Sequence, residues 1–152
     1  MTSTASPLLP HLRIATSTDA AGIAALLGTL GYPCDRDDAV ARIALVASDP
    51  RHCVIVADHH GDCCGLVSLL ARYSFAHGVD VCHISALVVA PTYQRRGIGQ
   101  QLLREAQSWA RAKGAARIEV ASATHRKDAH AFYRSCGYPE SGLRFVMRLG
   151  DA

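Results

Sequence analysis

An apolar run closed by a proline and a second run repeating at helical spacing flank Gln94-Arg95-Arg96-Gly97-Ile98-Gly99. No other stretch limits the chain as tightly. Ile84 to Val89 reads as a buried strand ended by Pro91, and Ile98, Leu102, Leu103, Ala106 and Trp109/Ala110 recur on one helical face. A glycine-punctuated turn thus joins a strand end to a helix start, where unpaired backbone N–H groups and the positive end of the helix dipole converge. Such a point holds a phosphate or pyrophosphate. Gly97 allows close approach of an anion, Gly99 keeps the helix start free of a side chain, and Arg95 and Arg96 add positive charge. A plain strand–helix turn with two solvated arginines fits the same letters. A Walker-type loop is excluded because no Lys-Ser/Thr follows, and a dinucleotide fingerprint because Gly-x-Gly-x-x-Gly is absent.

Composition bounds the rest. With 152 residues, 49% of them apolar, the chain is long enough for one domain with a real core. A formal charge of +3 without a basic run argues against nucleic acid and against a membrane surface, and fits a local patch for an anionic ligand. Eight histidines make the charge sensitive to pH near neutrality. Met1 to Pro10 lacks the features of a signal peptide, and residues 1–10 are expected to form a flexible arm before a domain over 11–152. No apolar run is long enough to span a membrane. The chain reads as cytoplasmic, its six cysteines as reduced thiols.

Along the chain, Leu12 to Ile14 is a short strand, and Thr18 or Asp19 caps a helix carrying Ile23, Leu26, Leu27 and Leu30 on one face until Gly31. After Tyr32-Pro33-Cys34, a second helix opens in Asp35, Asp37 and Asp38, buries Val40, Ile43, Ala44 and Ala47, and stops at Asp49-Pro50. Strands are expected over Cys53 to Ala57, Gly65 to Arg72 and Val81 to Val89, with a hairpin turn at Asp58 to Gly61. Beyond the glycine turn and its helix, Arg117 to Ala121 is a strand, Asp128 to Cys136 a helix, and Phe145 to Leu149 a strand that closes the sheet. The order βααβββαβαβ describes an α/β (α+β) chain with a mixed sheet covered by helices.

Two motifs in this order resemble the GCN5-related N-acetyltransferase (GNAT) family. The first is Gln94-x-x-Gly97-x-Gly99 after the fourth strand, and the second Ala129-His130-Ala131-Phe132-Tyr133-Arg134-Ser135-Cys136-Gly137-Tyr138. The resemblance runs from about Leu12 to Leu149. It implies a single-domain, mostly antiparallel sheet splayed between strands four and five. It also implies acetyl-CoA as the acyl donor and an amine as acceptor, with direct transfer in a ternary complex. Main-chain N–H groups of Arg96, Gly97, Ile98, Gly99 and Gln100 would take the pyrophosphate, with Gln94 and Arg95 beside them. Leu87, Val88 and Val89 would pair with the pantetheine arm like an added strand. An N–H of Val88 or Val89 would polarise the thioester oxygen. Ala129, Phe132 and Tyr133 fall on the family's second cofactor-binding block. Arg126 stands where many members carry an asparagine that contacts the cofactor.

Within that resemblance Tyr133 is the candidate general acid, since a phenol of pKa about 10 stays protonated at neutral pH and matches a leaving thiolate. A tyrosine packed beside Phe132 with its hydroxyl in water is the plain alternative. Many members supply a strand-four glutamate as base. Here Ser85 and Ala86 occupy that neighbourhood, so His83 is the nearest titratable group, as base or as a strand-end histidine without a role. Cys82 is a weaker candidate as a nucleophile, and Cys136 reads as core.

His52, Cys53, His59, His60, Cys63 and Cys64 do not repeat a zinc spacing, so no metal is expected. Asp35, Asp37 and Asp38 serve equally as helix caps or as a lure for a cationic acceptor. The acceptor pocket is expected around Tyr32-Pro33-Cys34, Tyr73 and Phe75. The sequence therefore points to an N-acetyltransferase for a primary amine of a small molecule, acting as monomer or homodimer. A protein N-terminal or lysine acetyltransferase and a non-catalytic acyl-CoA sensor are the alternatives.

Overall fold

A computed structural model describes residues 9–121 and 127–150. The chain forms two compact units, Met1–Val120 and Ala121–Ala152. In the first, strands β1 (His11–Ile14), β2 (His52–His59), β3 (Asp62–Ser74), β4 (Val79–Val89) and β5 (Arg117–Val120) lie side by side in chain order. The first three pairings are antiparallel and β4–β5 is parallel. Helix α3 (Ile98–Ala112) supplies the crossover that a parallel pair requires.

Helices α1 (Ala20–Leu30) and α2 (Arg36–Ala47) bridge β1 and β2. Gly31, at φ 99°, ends α1 with its N–H bonded back to Gly28. Asp35 caps α2 through its side chain on the Asp38 N–H, and Asp38 answers on the Asp35 N–H. Ala20, Ile23, Leu26, Ala39 and Ile43 pack on Val56, Leu66 and Val88, so both helices cover one sheet face. The other face takes α3 through Ile98, Leu102, Leu103, Ala106 and Ala110. Contact there is close at Gly65, where a β-carbon would sit 3.1 Å from Leu102 and 3.4 Å from Ile98. A cavity of about 290 Å³ between α2 and the end of α3, lined by Ile43, Val46, His52 and Trp109 among others, lies at the start of β2, away from the glycine turn. Among the described residues no helix is long and apolar enough to cross a membrane.

One ion cluster fastens β1 to its neighbours. Arg13 donates to both carboxylate oxygens of Asp19 (2.7 and 2.8 Å) and to Asp58 Oδ2 (3.1 Å). Asp19 is 7% exposed and also accepts the Thr16 N–H. The Arg13 hydrogen bonds hold the Asp19 carboxyl below its ordinary range against the opposing effect of burial.

In the second unit, α4 (Lys127–Ser135) forms and Cys136 and Gly137 end it. The strand expected over Phe145 to Leu149 does not form. Residues 138–149 carry no regular element, and Phe145 is 89% and Leu149 92% exposed. Alternating apolar residues become a strand only when a neighbouring edge accepts their N–H and C=O groups, and among the described residues none does. The described order is therefore βααβββαβα.

Because the folded-state pKa of Asp19 is depressed, its contribution to stability is present above the unfolded carboxylate range and lost as pH falls through the folded value. Asp19→Asn should destabilise the protein at pH 7 by about 1–3 kcal/mol. Urea unfolding should show this deficit shrinking between pH 5 and pH 3; an equal deficit at both values would contradict the role given to the carboxylate.

Candidate active site

Strand β4 is bonded to β3 along its whole length but to β5 only from Val81 to Ile84. The break coincides with a bulge. Leu69 faces Ile84 and Ser68 faces Ala86, so Ser85 is an extra residue, its hydroxyl bonded to the Ser68 side chain (2.8 Å). Bulges bend a strand and raise its twist, and the described β4–β5 pairing ends at this point. Beyond the bulge, Ala90 donates to the Cys64 oxygen, and antiparallel alternation then turns Val88 inward to Leu66. Leu87 and Val89 direct their N–H and C=O groups to the side where, among the described residues, no strand pairs with them. The N–H of Val88, one of two expected oxyanion donors, belongs to the β3 ladder.

The free edge runs into the glycine turn. A short 3₁₀ turn at Pro91–Tyr93 is followed by Gln94, whose Nε2 donates to the Val89 oxygen (3.1 Å). Arg95 has φ 66° and Gly97 φ 81°. Repeated left-handed residues build the backbone hollow that cups anions. For Arg95 that conformation is strained by about 1 kcal/mol or more. Gly97 is the N-cap of α3 and brings no capping side chain, leaving the N–H groups of Ile98, Gly99 and Gln100 with the positive end of the helix. Ile98 is buried; Gln94, Arg95, Arg96, Gly97 and Gln100 are exposed. The Arg96 guanidinium lies 5.2 Å from the Tyr93 ring centre, and Tyr93 Oη donates to Asp62 (3.2 Å).

Register and alternation put His83 on the sheet face that carries α1 and α2, beside Leu70 on β3 and Glu119 on β5. Asp80 is the carboxylate on β4 and alternates to the other face, so the carboxylate beside His83 is Glu119 of β5, a pairing that no spacing in the sequence reveals. Cys82 points to the opposite face, and burial pushes its thiol up to about 11. It stays protonated at neutral pH, which speaks against a thiolate nucleophile. Tyr73 also alternates away from His83, while Tyr32 and Phe75 are exposed. Tyr73 therefore does not share the sheet face of His83; Arg72 does.

The cysteine–histidine segment resolves into packing. Cys64 is the extra residue of a bulge and donates to the Ala57 oxygen, and the rings of His59, His60 and Tyr93 stack edge-on. Among the described residues no three His, Cys, Asp or Glu side chains gather to hold a metal. In the second unit, Ala129, Phe132 and Tyr133 are half-buried on one side of α4, with the Tyr133 ring against Phe132 and Tyr138. Arg126 lies outside the described residues.

The family description "Acetyltransferase (GNAT) family" matches residues 23–138. This chain belongs to the GNAT family. It is 34% identical over 144 residues, 91% of each chain, to the aminoalkylphosphonate N-acetyltransferase of Salmonella typhimurium. It is 30% identical over 144 residues to the aminoglycoside N(6')-acetyltransferase type 1 of Stenotrophomonas maltophilia, covering 92% of this chain and 93% of that one. The solved structure of AAC(6')-Iy with the bisubstrate analogue CoA-S-monomethyl-acetylneamine shares the fold at a TM-score of 0.79 and 18% identity, over 93% of this chain and 98% of that one. The protein is accordingly an acyltransferase of the GNAT type.

For this GNAT enzyme, a β-carbon at Gly97 meets nothing within 4 Å, so only the positive φ requires glycine. Gly97→Ala should cost about 1–2 kcal/mol of local strain, and if the turn is where an anionic cofactor such as CoA is held, calorimetry should show CoA affinity about tenfold or more weaker. Full CoA affinity in this variant would count against the turn conformation as a holding element.

Proposed function

We propose that this GNAT enzyme transfers an acetyl group from acetyl-CoA to the primary amine of a small molecule by direct attack in a ternary complex. One observation carries the reading: the outward groups of Leu87 and Val89 on β4, which pair with no strand among the described residues, lead into a helix N-terminus without a capping side chain. Such an edge pairs with an extended amide-bearing arm as with another strand. The helix start with Arg95 and Arg96 suits the diphosphate at the arm's other end. Two curated relatives act, by name, on small amines, which favours a small molecule over a protein tail.

An arm anchored at Gly97 and running back along β4 meets Val89 first and Leu87 next, so its reactive end lies nearest the bulge. Leu87 then offers the N–H for the thioester oxygen and Val89 holds the arm. Loss of such a donor costs ~3–4 kcal/mol of barrier in a comparable oxyanion site. The amine nitrogen attacks the carbonyl carbon, the N–C bond forms as the C–S bond breaks, and two protons must be managed. His83, directly or through water, receives the proton of the amine. Tyr133, taken from the family's second motif, is the group assigned to give its phenolic proton to the leaving thiolate, and Ala129 and Phe132 of the same motif are kept as cofactor-binding candidates. Arg126 is kept as a cofactor-binding candidate. In this reading residues 11–152 form the catalytic domain and 1–10 an arm, in a cytoplasmic enzyme.

Calorimetry should detect binding of acetyl-CoA, and an amine panel should show thiol release. Binding without turnover on any amine would favour the sensor alternative. Tyr133→Phe should lower kcat about 10²-fold, with the acetyl-CoA Kd little changed; unaltered turnover would remove Tyr133 from the mechanism. If His83 is the base, the pH–rate profile falls on its acidic side as the imidazole protonates, and His83→Ala should lose that limb. A variant that keeps the wild-type limb would rule the histidine out.

A further inference from the structure

We propose that Arg72 and Arg117 form an anion subsite in the acceptor pocket, so that the amine acetylated by this enzyme carries a phosphonate, phosphate or carboxylate a short chain away from its nitrogen. The inference rests on the acyl-transfer reading for the position of the amine. Three strands bring the two arginines together: Arg72 of β3 and Arg117 of β5 are both in register with Val81 of β4. Alternation sends all three side chains to the face that holds His83 and Ser85. Between the guanidiniums stands Glu119, whose carboxylate lies 3.2 Å from Arg117 and 4.0 Å from Arg72.

A single carboxylate does not use up two forked guanidiniums, each of which presents more N–H donors than one such contact consumes. The trio keeps a net positive charge, and Arg72 and Arg117 remain 50% and 41% exposed. An exposed ion pair of this kind adds at most ~1 kcal/mol to stability, so folding alone gives little reason to gather two arginines on one stretch of sheet. Guanidinium forks match the oxygens of phosphonate, phosphate and carboxylate, and this is the recognition they perform best.

Position supports the same conclusion. From the free edge at Leu87, the face runs through Ser85 to His83 and Glu119 and then to the arginines. The arginines sit two strand residues beyond His83, or ~6.7 Å along β4. That gap suits a short alkyl chain joining an amine near His83 to an oxyanion at the arginines. A polycationic acceptor would meet like charge there.

Initial rates with 2-aminoethylphosphonate, β-alanine, propylamine and neamine test the proposal. The wild type should prefer the anionic amines to propylamine by at least about tenfold in kcat/KM, with neamine poorest. The first two substrates distinguish a tetrahedral from a planar oxyanion. Arg117→Gln and Arg72→Gln should each cut that preference about tenfold through KM, and Arg117→Lys should restore part of it by charge without the fork. Thermal melting of each variant separates a binding defect from unfolding. The second readout is calorimetric titration of 2-aminoethylphosphonate into wild-type and Arg117→Gln protein loaded with CoA. Amine turnover with no anionic preference and no response to either arginine overturns the subsite and leaves acyl transfer standing. Arginine-dependent binding of the phosphonate without any turnover supports the subsite and overturns acyl transfer.

Discussion

Among the described residues, strand β4 has a full ladder on one side and a short one on the other, and the proposed chemistry rests on that asymmetry. From Val81 to Ile84 it is a central strand held by β3 and β5. One extra residue, Ser85, follows, and the outward N–H and C=O groups of Leu87 and Val89 meet no strand among the described residues. Unpaired backbone groups at the edge of a sheet invite another chain to bond with them. Here the exposed stretch is short and ends at a helix N-terminus. That suits a narrow extended ligand with an anionic end better than another strand.

Rigid surroundings make the opening possible. Both faces of the sheet beside the edge are packed: Val88 and Leu66 lie under α1 and α2, and Gly65 lets α3 settle onto β3 within van der Waals range. The Arg13–Asp19–Asp58 cluster ties β1 to the start of α1 and to β2, stiffening the side of the sheet away from the opening. In that frame the strained backbone at Arg95 is affordable, because the neighbouring strand end and helix start cannot relax independently. Gln94 adds a local tether through the Val89 oxygen, and in doing so occupies one acceptor of the free edge.

The proposed acceptor side shows how register gathers side chains that no single segment contains. Arg72, His83, Arg117 and Glu119 come from three strands, and only two of them are near in sequence. Their shared face and the order of their positions along β4 lay out a path from the bulge toward a basic end. In the proposed function the amine occupies the near part of that path and, in the further inference, an oxyanion the far part.

Much of the fold was legible because its signals are local. Gly31 and Asp35 mark helix ends by backbone conformation and capping, the apolar spacing after Gly97 reports α3, and the glycine turn reports its own backbone. The expected strand at Phe145 to Leu149 failed because alternation describes a face, whereas a strand needs a partner. The sequence by itself determined the helices, the runs that become strands and the glycine turn before α3, since each depends on neighbours within a few residues. Only the tertiary structure decided that Ser85 bulges, that Leu87 and Val89 rather than Val88 face outward, and that Glu119 stands beside His83. Those facts depend on which residues of distant strands are in register, and pairing between strands is set by the packing of the whole sheet.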